Sequence, residues 1–251
     1  MAGLRPLVDA EDEDGVKARR LSELFRLGVG RPPPGFVAGL DELDPVQVER
    51  ACGAVGCGFP VAVRLSPVGL ALHEEVALSS IGLRVAEGPS EVARAARELA
   101  GAAEGLLGRD IKFKVIVQQL VSPDASGAAY TVSPVTWREV IIVEGVPGVA
   151  DVFMSVGSPH DSFTFSYDFR LLERRVMEKR YARAYVSGRG LVNVPLADPW
   201  APCATDEAAG EVARAAARVK EMAGSDVEVE WALKDGRLYL LGYRPLGWVR
   251  S

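Results

Sequence analysis

Between residues 227 and 245 the chain alternates apolar and polar positions, turns at Asp235-Gly236 and alternates again, the pattern of a β-hairpin. Strand neighbours two apart share a face, so Glu228 and Glu230 point one way while Val227, Val229 and Trp231 point the other. Upstream the period changes several times. Leu21, Leu24 and Phe25 make a helical stripe over Val16–Leu27 that stops at Gly28, before the proline turn at 32–36. Asp44 followed by Pro45 reads as an N-cap and first helical residue; Val48, Ala51, Cys52 and Val55 supply the buried face, and Gly53, Gly56 and Gly58 end the helix. Ser90 reads as the cap of another helix, with Val92, Ala95, Ala96 and Leu99 inward and Gly101 as its stop. Thr205 opens a helix to about residue 222 that buries Val212, Ala216 and Val219. Apolar runs at 59–64, 111–121 and 139–144 read as strands, the second passing from alternation into a continuous apolar run buried on both faces. The charged stretch 171–180 reads as a solvated strand or rim.

Of 251 residues, 48% are hydrophobic and 25% charged, enough for a full core in one large domain or two small lobes. The net charge of −5 provides no basic field for a nucleic-acid backbone or an anionic membrane, so neither is expected as a partner. No apolar run approaches the ~20 residues that span a bilayer. The chain opens with Pro6 and the acidic cluster Glu11, Asp12, Glu13, Asp14 where a signal peptide would stand, so the cytoplasm is the expected location. Its three cysteines, Cys52, Cys57 and Cys203, are expected as buried free thiols, with a Cys52–Cys57 pair as the alternative in a hyperthermophile. His73 and His160 fit no metal or nucleophile spacing, and no P-loop, nucleophile elbow or Cys-x-x-Cys pair is present.

Two carboxylates on one pleated face repel unless a cation lies between them, and paired hard oxygens suit Mg²⁺ holding a nucleotide's phosphates. A solvent-exposed acidic face carries the same pattern. The wording of the hairpin separates the two. Glu228-Val229-Glu230-Trp231-Ala232 and Leu241-Gly242-Tyr243-Arg244-Pro245 resemble the Asp-Ile-Glu-Trp-Ala and Leu-Gln-x-Arg-Pro that close the nucleotide-binding domain of phosphoenolpyruvate synthase and pyruvate phosphate dikinase. Further likenesses run along residues 15 to 245. Gly15-Val16-Lys17 resembles the family's Gly-Gly-Lys helix start, and Pro33-Pro34-Gly35-Phe36 its Pro-x-Gly-Phe turn. Val61-Ala62-Val63-Arg64 resembles Val-Ala-Val-Arg, and the run through Gln118 resembles Val-Val-Val-Gln-x-Met-Val. Ser126-Gly127-Ala128-Ala129-Tyr130-Thr131 resembles Ser-Gly-x-x-Phe-Thr; Gly148-Val149-Ala150-Asp151 and Asp161 fall on the family's Gly-Leu-Gly-Glu and Pro-Asp.

The resemblance implies an α+β ATP-grasp fold with an N-terminal lobe over 1–115, a C-terminal lobe over 116–251 and a nucleotide cleft between them. It implies ATP and Mg²⁺ as cofactors. Lys17, Arg64 and Arg244 would neutralise the phosphates, the two arginines serving catalysis; Gln118, Gln119, Leu120 and Val121 would receive adenine, and Glu228 and Glu230 would hold the metal. The implied activity is phosphoryl transfer to a separate phosphohistidine-type protein or a small-molecule acceptor. The larger enzymes continue into a phosphohistidine domain and a substrate barrel, so this chain is not expected to complete their reaction alone. Departures cluster as well: Gly242 replaces the metal-binding Gln, Leu65, Ser66 and Pro67 alter the phosphate loop, and Ser133 replaces an acidic or amide residue. An arginine-bearing insertion is reduced to 102–109, with Arg109 its remaining candidate. These carry the rival reading, an inactive remnant serving as a nucleotide-binding or regulatory subunit.

Overall fold

The computed structural model describes residues 4–150 and 158–246; Asp151 lies outside them. The chain divides into two units, Met1–Arg26 with Pro33–Leu120, and Leu27–Pro32 with Val121–Ser251.

The first unit holds β1 (Arg5–Pro6), α1 (Val16–Leu27), β2 (Gly35–Ala38), α2 (Pro45–Val55), β3 (Val61–Pro67), α3 (Leu72–Ser79), β4 (Arg84–Ala86), α4 (Pro89–Leu107) and β5 (Phe113–Gln119). The strands form one antiparallel sheet in the order β1-β2-β5-β3-β4. Strand alternation sorts their side chains. Phe36, Ala38, Val61, Val63, Val115 and Val117 join Val48 and Cys52 of α2 and Val92, Ala96 and Leu99 of α4 in one core. The row Val37, Ile116, Arg64 and the flanking Gln118 and Ser66 fall on the other face.

Sequence and structure part in α2, α4 and β3 of this unit. Helix α2 does start where Asp44 accepts the N–H groups of Val46 and Gln47, and Gly56 closes it in the left-handed region, but Gly53 lies within the helix. In α4, Pro89 takes the first helical position after Gly88, so Ser90 is inside the helix and not its cap. The helix also runs through Gly101 to Leu107. A helical glycine costs about 1 kcal/mol, and burial of Ala100 and Ala103 on either side outweighs it. Leu65, Ser66 and Pro67 are ladder residues of β3, paired with Val115, Lys114 and Phe113, where a phosphate loop was expected.

The second unit holds β6 (Ala125–Tyr130), β7 (Ile141–Pro147), β8 (Asp161–Phe165), β9 (Leu171–Arg175), β10 (Tyr181–Val186), β11 (Gly190–Pro195), α5 (Asp206–Ala223), β12 (Val227–Lys234) and β13 (Arg237–Pro245). Six strands form an antiparallel sheet in the order β13-β12-β6-β7-β8-β9, and β10 with β11 forms a separate ribbon. The expected hairpin is β12–β13, turning on Asp235 and Gly236 at φ 49° and 71°, the double positive φ that a two-residue type I′ turn requires. Helix α5 is capped by Thr205, whose Oγ1 accepts the Ala208 N–H, and closes on left-handed Gly224. Its buried Ala209, Val212, Ala213, Ala216 and Val219 pack across the sheet. Val227, Val229, Trp231, Ala129, Val143 and Phe163 share the buried face. Gly145 sits beneath Trp231 there, where an added Cβ would stand 2.7 Å from the indole ring. Among the described residues no helix is long and apolar enough to cross a membrane.

Candidate functional site

On β12, Glu228 and Glu230 occupy the face turned away from the Val229 and Trp231 core, as alternation required. Register decides their neighbours. Glu228 lies opposite Tyr130 of β6 and Arg244 of β13, and Glu230 lies opposite Ala128 of β6 and Gly242 of β13. Ala128 in turn lies opposite Glu144 of β7, so only a methyl group stands between Glu230 and a third carboxylate in that row. Glu144 had no role in the sequence reading, because its place on this face depends on pairing between strands far apart in the chain. His160 reaches it, with Nε2 3.5 Å from Glu144 Oε1 and Nδ1 2.8 Å from the Ser158 carbonyl.

Arg244 donates from Nε at 3.0 Å and Nη2 at 2.6 Å to Glu228 Oε2. Its Nη1 is buried without a partner among the described residues. Burial pushes the Glu228 carboxyl above the ordinary carboxylate range against the opposing pull of Arg244, with Glu230 and Glu144 adding to the rise. Tyr130, buried beside Glu228 and Glu144, is shifted well above the usual phenol value and stays protonated. A raised native pKa contributes stability that is fully present below the unfolded value and is lost as pH rises through the native one. Glu228→Gln cannot ionise, so the variant is expected to gain stability relative to wild type as pH rises from about 4 to 8. Urea denaturation across that range checks it; a variant that loses ground with rising pH contradicts the burial argument.

Among the described residues no group of three or more His, Cys, Asp or Glu side chains could hold a metal ion. Two carboxylates nevertheless fit Mg²⁺, which is ordinarily held by one or two of them while phosphate oxygens and water complete its octahedron. The donor set fits a metal that arrives with a nucleotide. Pairing between β12 and β13 shifts after Glu230, leaving Leu241 as the extra residue of a bulge and Gly242 opposite Glu230. A Cβ on Gly242 would stand 3.5 Å from Glu230 Oε2, ordinary contact, so a longer side chain there would run beside the carboxylate.

In the first unit, Lys17 lies in the first turn of α1 and Arg64 on β3. Ser66, two residues beyond Arg64 and on the same face, accepts the Ala18 N–H at its Oγ (3.0 Å), which brings the helix start carrying Lys17 to the strand carrying Arg64. Gly15 makes this approach possible: at φ 86°, it leaves no room for a Cβ, which would meet the Ser66 carbonyl at 2.5 Å. The Gln118 side chain is buried and donates to the Pro33 carbonyl at 2.8 Å. The N–H groups of Gln119 and Leu120 go to the carbonyls of Pro34 and Pro60, and the Leu120 carbonyl accepts the Gln119 Nε2 at 3.3 Å. Arg109 is engaged by Glu74 at 2.5 Å, and Ser133 is a turn residue whose Oγ accepts the Thr136 N–H at 3.1 Å.

The fold is α+β and ATP-grasp, with two carboxylates and an arginine on one sheet face. The chain belongs to the family described as pyruvate phosphate dikinase, AMP/ATP-binding domain, which it matches over residues 97–250. A probable phosphoenolpyruvate synthase of Archaeoglobus fulgidus is 24% identical over 150 residues, covering 59% of this chain and 20% of that protein. The prodigiosin synthesizing transferase PigC of Serratia marcescens is 28% identical over 219 residues, covering 80% and 24%. A rifampicin phosphotransferase of a Streptomyces species is 29% identical over 146 residues, covering 57% and 17%. The chain thus spans about a quarter or less of the length of these relatives. Among solved structures, PH1788 from Pyrococcus horikoshii Ot3 shares the fold at a TM-score of 0.54 and 13% identity, over 92% of this chain and 91% of that one.

Proposed function

We propose that this chain is a cytoplasmic domain that binds ATP with Mg²⁺ and passes the γ-phosphoryl group to an acceptor outside itself, a phosphohistidine-type protein or a small molecule. The observation that carries the proposal is the Glu228–Glu230 face of β12, with Arg244 fixed beside it and its Nη1 still able to donate. Glu228 and Glu230 hold Mg²⁺ through the nucleotide's phosphates, Lys17, Arg64 and Arg244 neutralise phosphate charge, and Gln118, Gln119, Leu120 and Val121 receive adenine. Phosphoryl transfer asks little more of a protein than this positioning and charge compensation. Relatives named for phosphoenolpyruvate, prodigiosin and rifampicin align with this chain, which supports a choice of acceptor made outside it.

Two observations favour a second reading, an inactive nucleotide-binding or regulatory subunit: Gly242 withholds an oxygen ligand opposite Glu230, and Glu74 occupies Arg109. Losing an arginine that acts on the transferring phosphoryl group can cost ~10³-fold or more in rate. Native mass spectrometry with ATP, ADP and AMP, followed by exchange of labelled γ-phosphate, separates the readings. Retained ATP with exchange that Arg64→Ala abolishes supports transfer; retained ATP without exchange supports the second reading; no nucleotide retained contradicts both. Gly242→Gln is expected to tighten Mg²⁺-dependent ATP binding roughly tenfold, the equivalent of ~1.4 kcal/mol for one added ligand. Calorimetry reads that change, and an unchanged or weaker affinity would remove Gly242 from the metal's surroundings.

A further inference from the structure

Helix α2 ends in a backbone motif with a chemical consequence. Gly56 closes it in the left-handed region at φ 74°, and the Cys57 N–H is donated to the Cys52 carbonyl at 3.0 Å. This six-to-one bond marks a Schellman turn, in which the side chain just past the cap is brought against the one at the third position from the helix end. Those positions normally carry an apolar contact, and here they carry two thiols. Cys52 and Cys57 lie in the same core cluster, 3% and 7% exposed. Gly53, Gly56 and Gly58 around them are exposed, so the thiols lie one layer below solvent beneath a turn without bulky side chains. Cys203 belongs to the other unit.

We propose that Cys52 and Cys57 form a redox-active dithiol, a disulfide site that closes across the C-terminal turn of α2 by exchange with a small disulfide of the glutathione class. Fraying of the last helical turn admits the reagent. The Cys52 thiol, held below the ordinary thiol range by Cys57 beside it, attacks as the thiolate one sulfur of the glutathione disulfide and releases a glutathione thiolate. Cys57 then gives up its proton and attacks the Cys52 sulfur of the mixed disulfide, releasing the second glutathione. Two protein thiols are oxidised, one glutathione disulfide is reduced to two glutathiones, and the two protein protons pass to them. Closure ties the helix end to the segment from which Gly58 donates to Gln119 Oε1 at 2.7 Å, so oxidation stiffens this edge of the first unit. The chemistry stands independently of any nucleotide.

The test incubates the full chain in graded mixtures of oxidised and reduced glutathione, quenches with acid, alkylates the remaining thiols after denaturation and maps the peptides by mass. The reduced chain has three thiols. Expected in the oxidising mixtures is a chain lighter by two hydrogens, alkylated at Cys203 alone, with a Cys52–Cys57 crosslinked peptide. Cys57→Ala should stop at a glutathione adduct on Cys52 or at unmodified thiol. Three alkylated cysteines in the most oxidising mixture, a bridge to Cys203, or stable glutathione adducts without closure in the wild type would each overturn the proposal. The wild-type map decides the matter even if the variant does not fold.

Discussion

Asp161→Ala is expected to destabilise the protein by about 3–5 kcal/mol, the scale of a buried ion pair broken from one side. Asp161 is 0% exposed and its partner Lys179 3%, with Nζ 2.5 Å from Oδ1. The carboxylate also accepts the Met177 N–H at Oδ1 (3.0 Å) and the Cys203 N–H at Oδ2 (2.7 Å), while Lys179 Nζ donates to the Met177 carbonyl at 2.7 Å. One side chain at the start of β8 therefore holds the approach to β10 and the approach to α5. Removing it strands an ammonium in the interior and orphans two amide donors. Against a typical domain margin of 5–15 kcal/mol, that is a large fraction. Lys179→Met should be nearly as costly, and Asp161→Ala with Lys179→Met together should cost less than the two single changes summed. Chemical denaturation of the four proteins closes the cycle. Strictly additive losses would mean that the pair is not coupled.

Glu230→Gln should weaken Mg²⁺-dependent ATP binding by about 1.5–3 kcal/mol, roughly ten- to a hundredfold in Kd, while leaving metal-free ATP binding unchanged or slightly tighter. The amide keeps the shape of the side chain and its place opposite Gly242, so the fold is not expected to suffer. What it removes is a negative charge that repels phosphate in the absence of metal and attracts the metal in its presence. Opposite signs with and without Mg²⁺ separate a metal ligand from a residue that merely shapes the sheet. Calorimetric titration of both proteins with ATP, in Mg²⁺ and in chelator, measures the pair of effects. Equal losses in the two conditions would make Glu230 structural.

The hairpin was legible because its signals are local: alternation fixes which face Glu228 takes, and only a sequence such as Asp235-Gly236 tolerates the turn. Helices α1 and α5 were legible for the same reason, through their stripes and the Thr205 cap. Glu144 was not, since its position beside Glu230 runs through Ala128 and depends on β6 pairing both with β7 and with β12, a strand far away in the chain. Asp161 was read only through the family pattern, and its ion pair with Lys179 depends on contacts that no spacing rule encodes. Leu241 passed as one more alternating residue because a bulge has no signature where glycine and turn residues do not mark it. Helix α3 and the β10–β11 ribbon escaped for a simpler reason: α3 buries none of its residues, and the ribbon's strands are half-buried or exposed throughout, so neither leaves a hydrophobic period to read.

The most direct measurement of the central claim is calorimetric titration of the unmodified chain with ATP, first in Mg²⁺ and then in chelator, with a titration of Mg²⁺ alone. A donor set of two carboxylates that depends on phosphate oxygens predicts saturable ATP binding, tightened by Mg²⁺, and no binding of Mg²⁺ without nucleotide. Absence of ATP binding at millimolar ligand, or Mg²⁺ binding equally well without nucleotide, would contradict it.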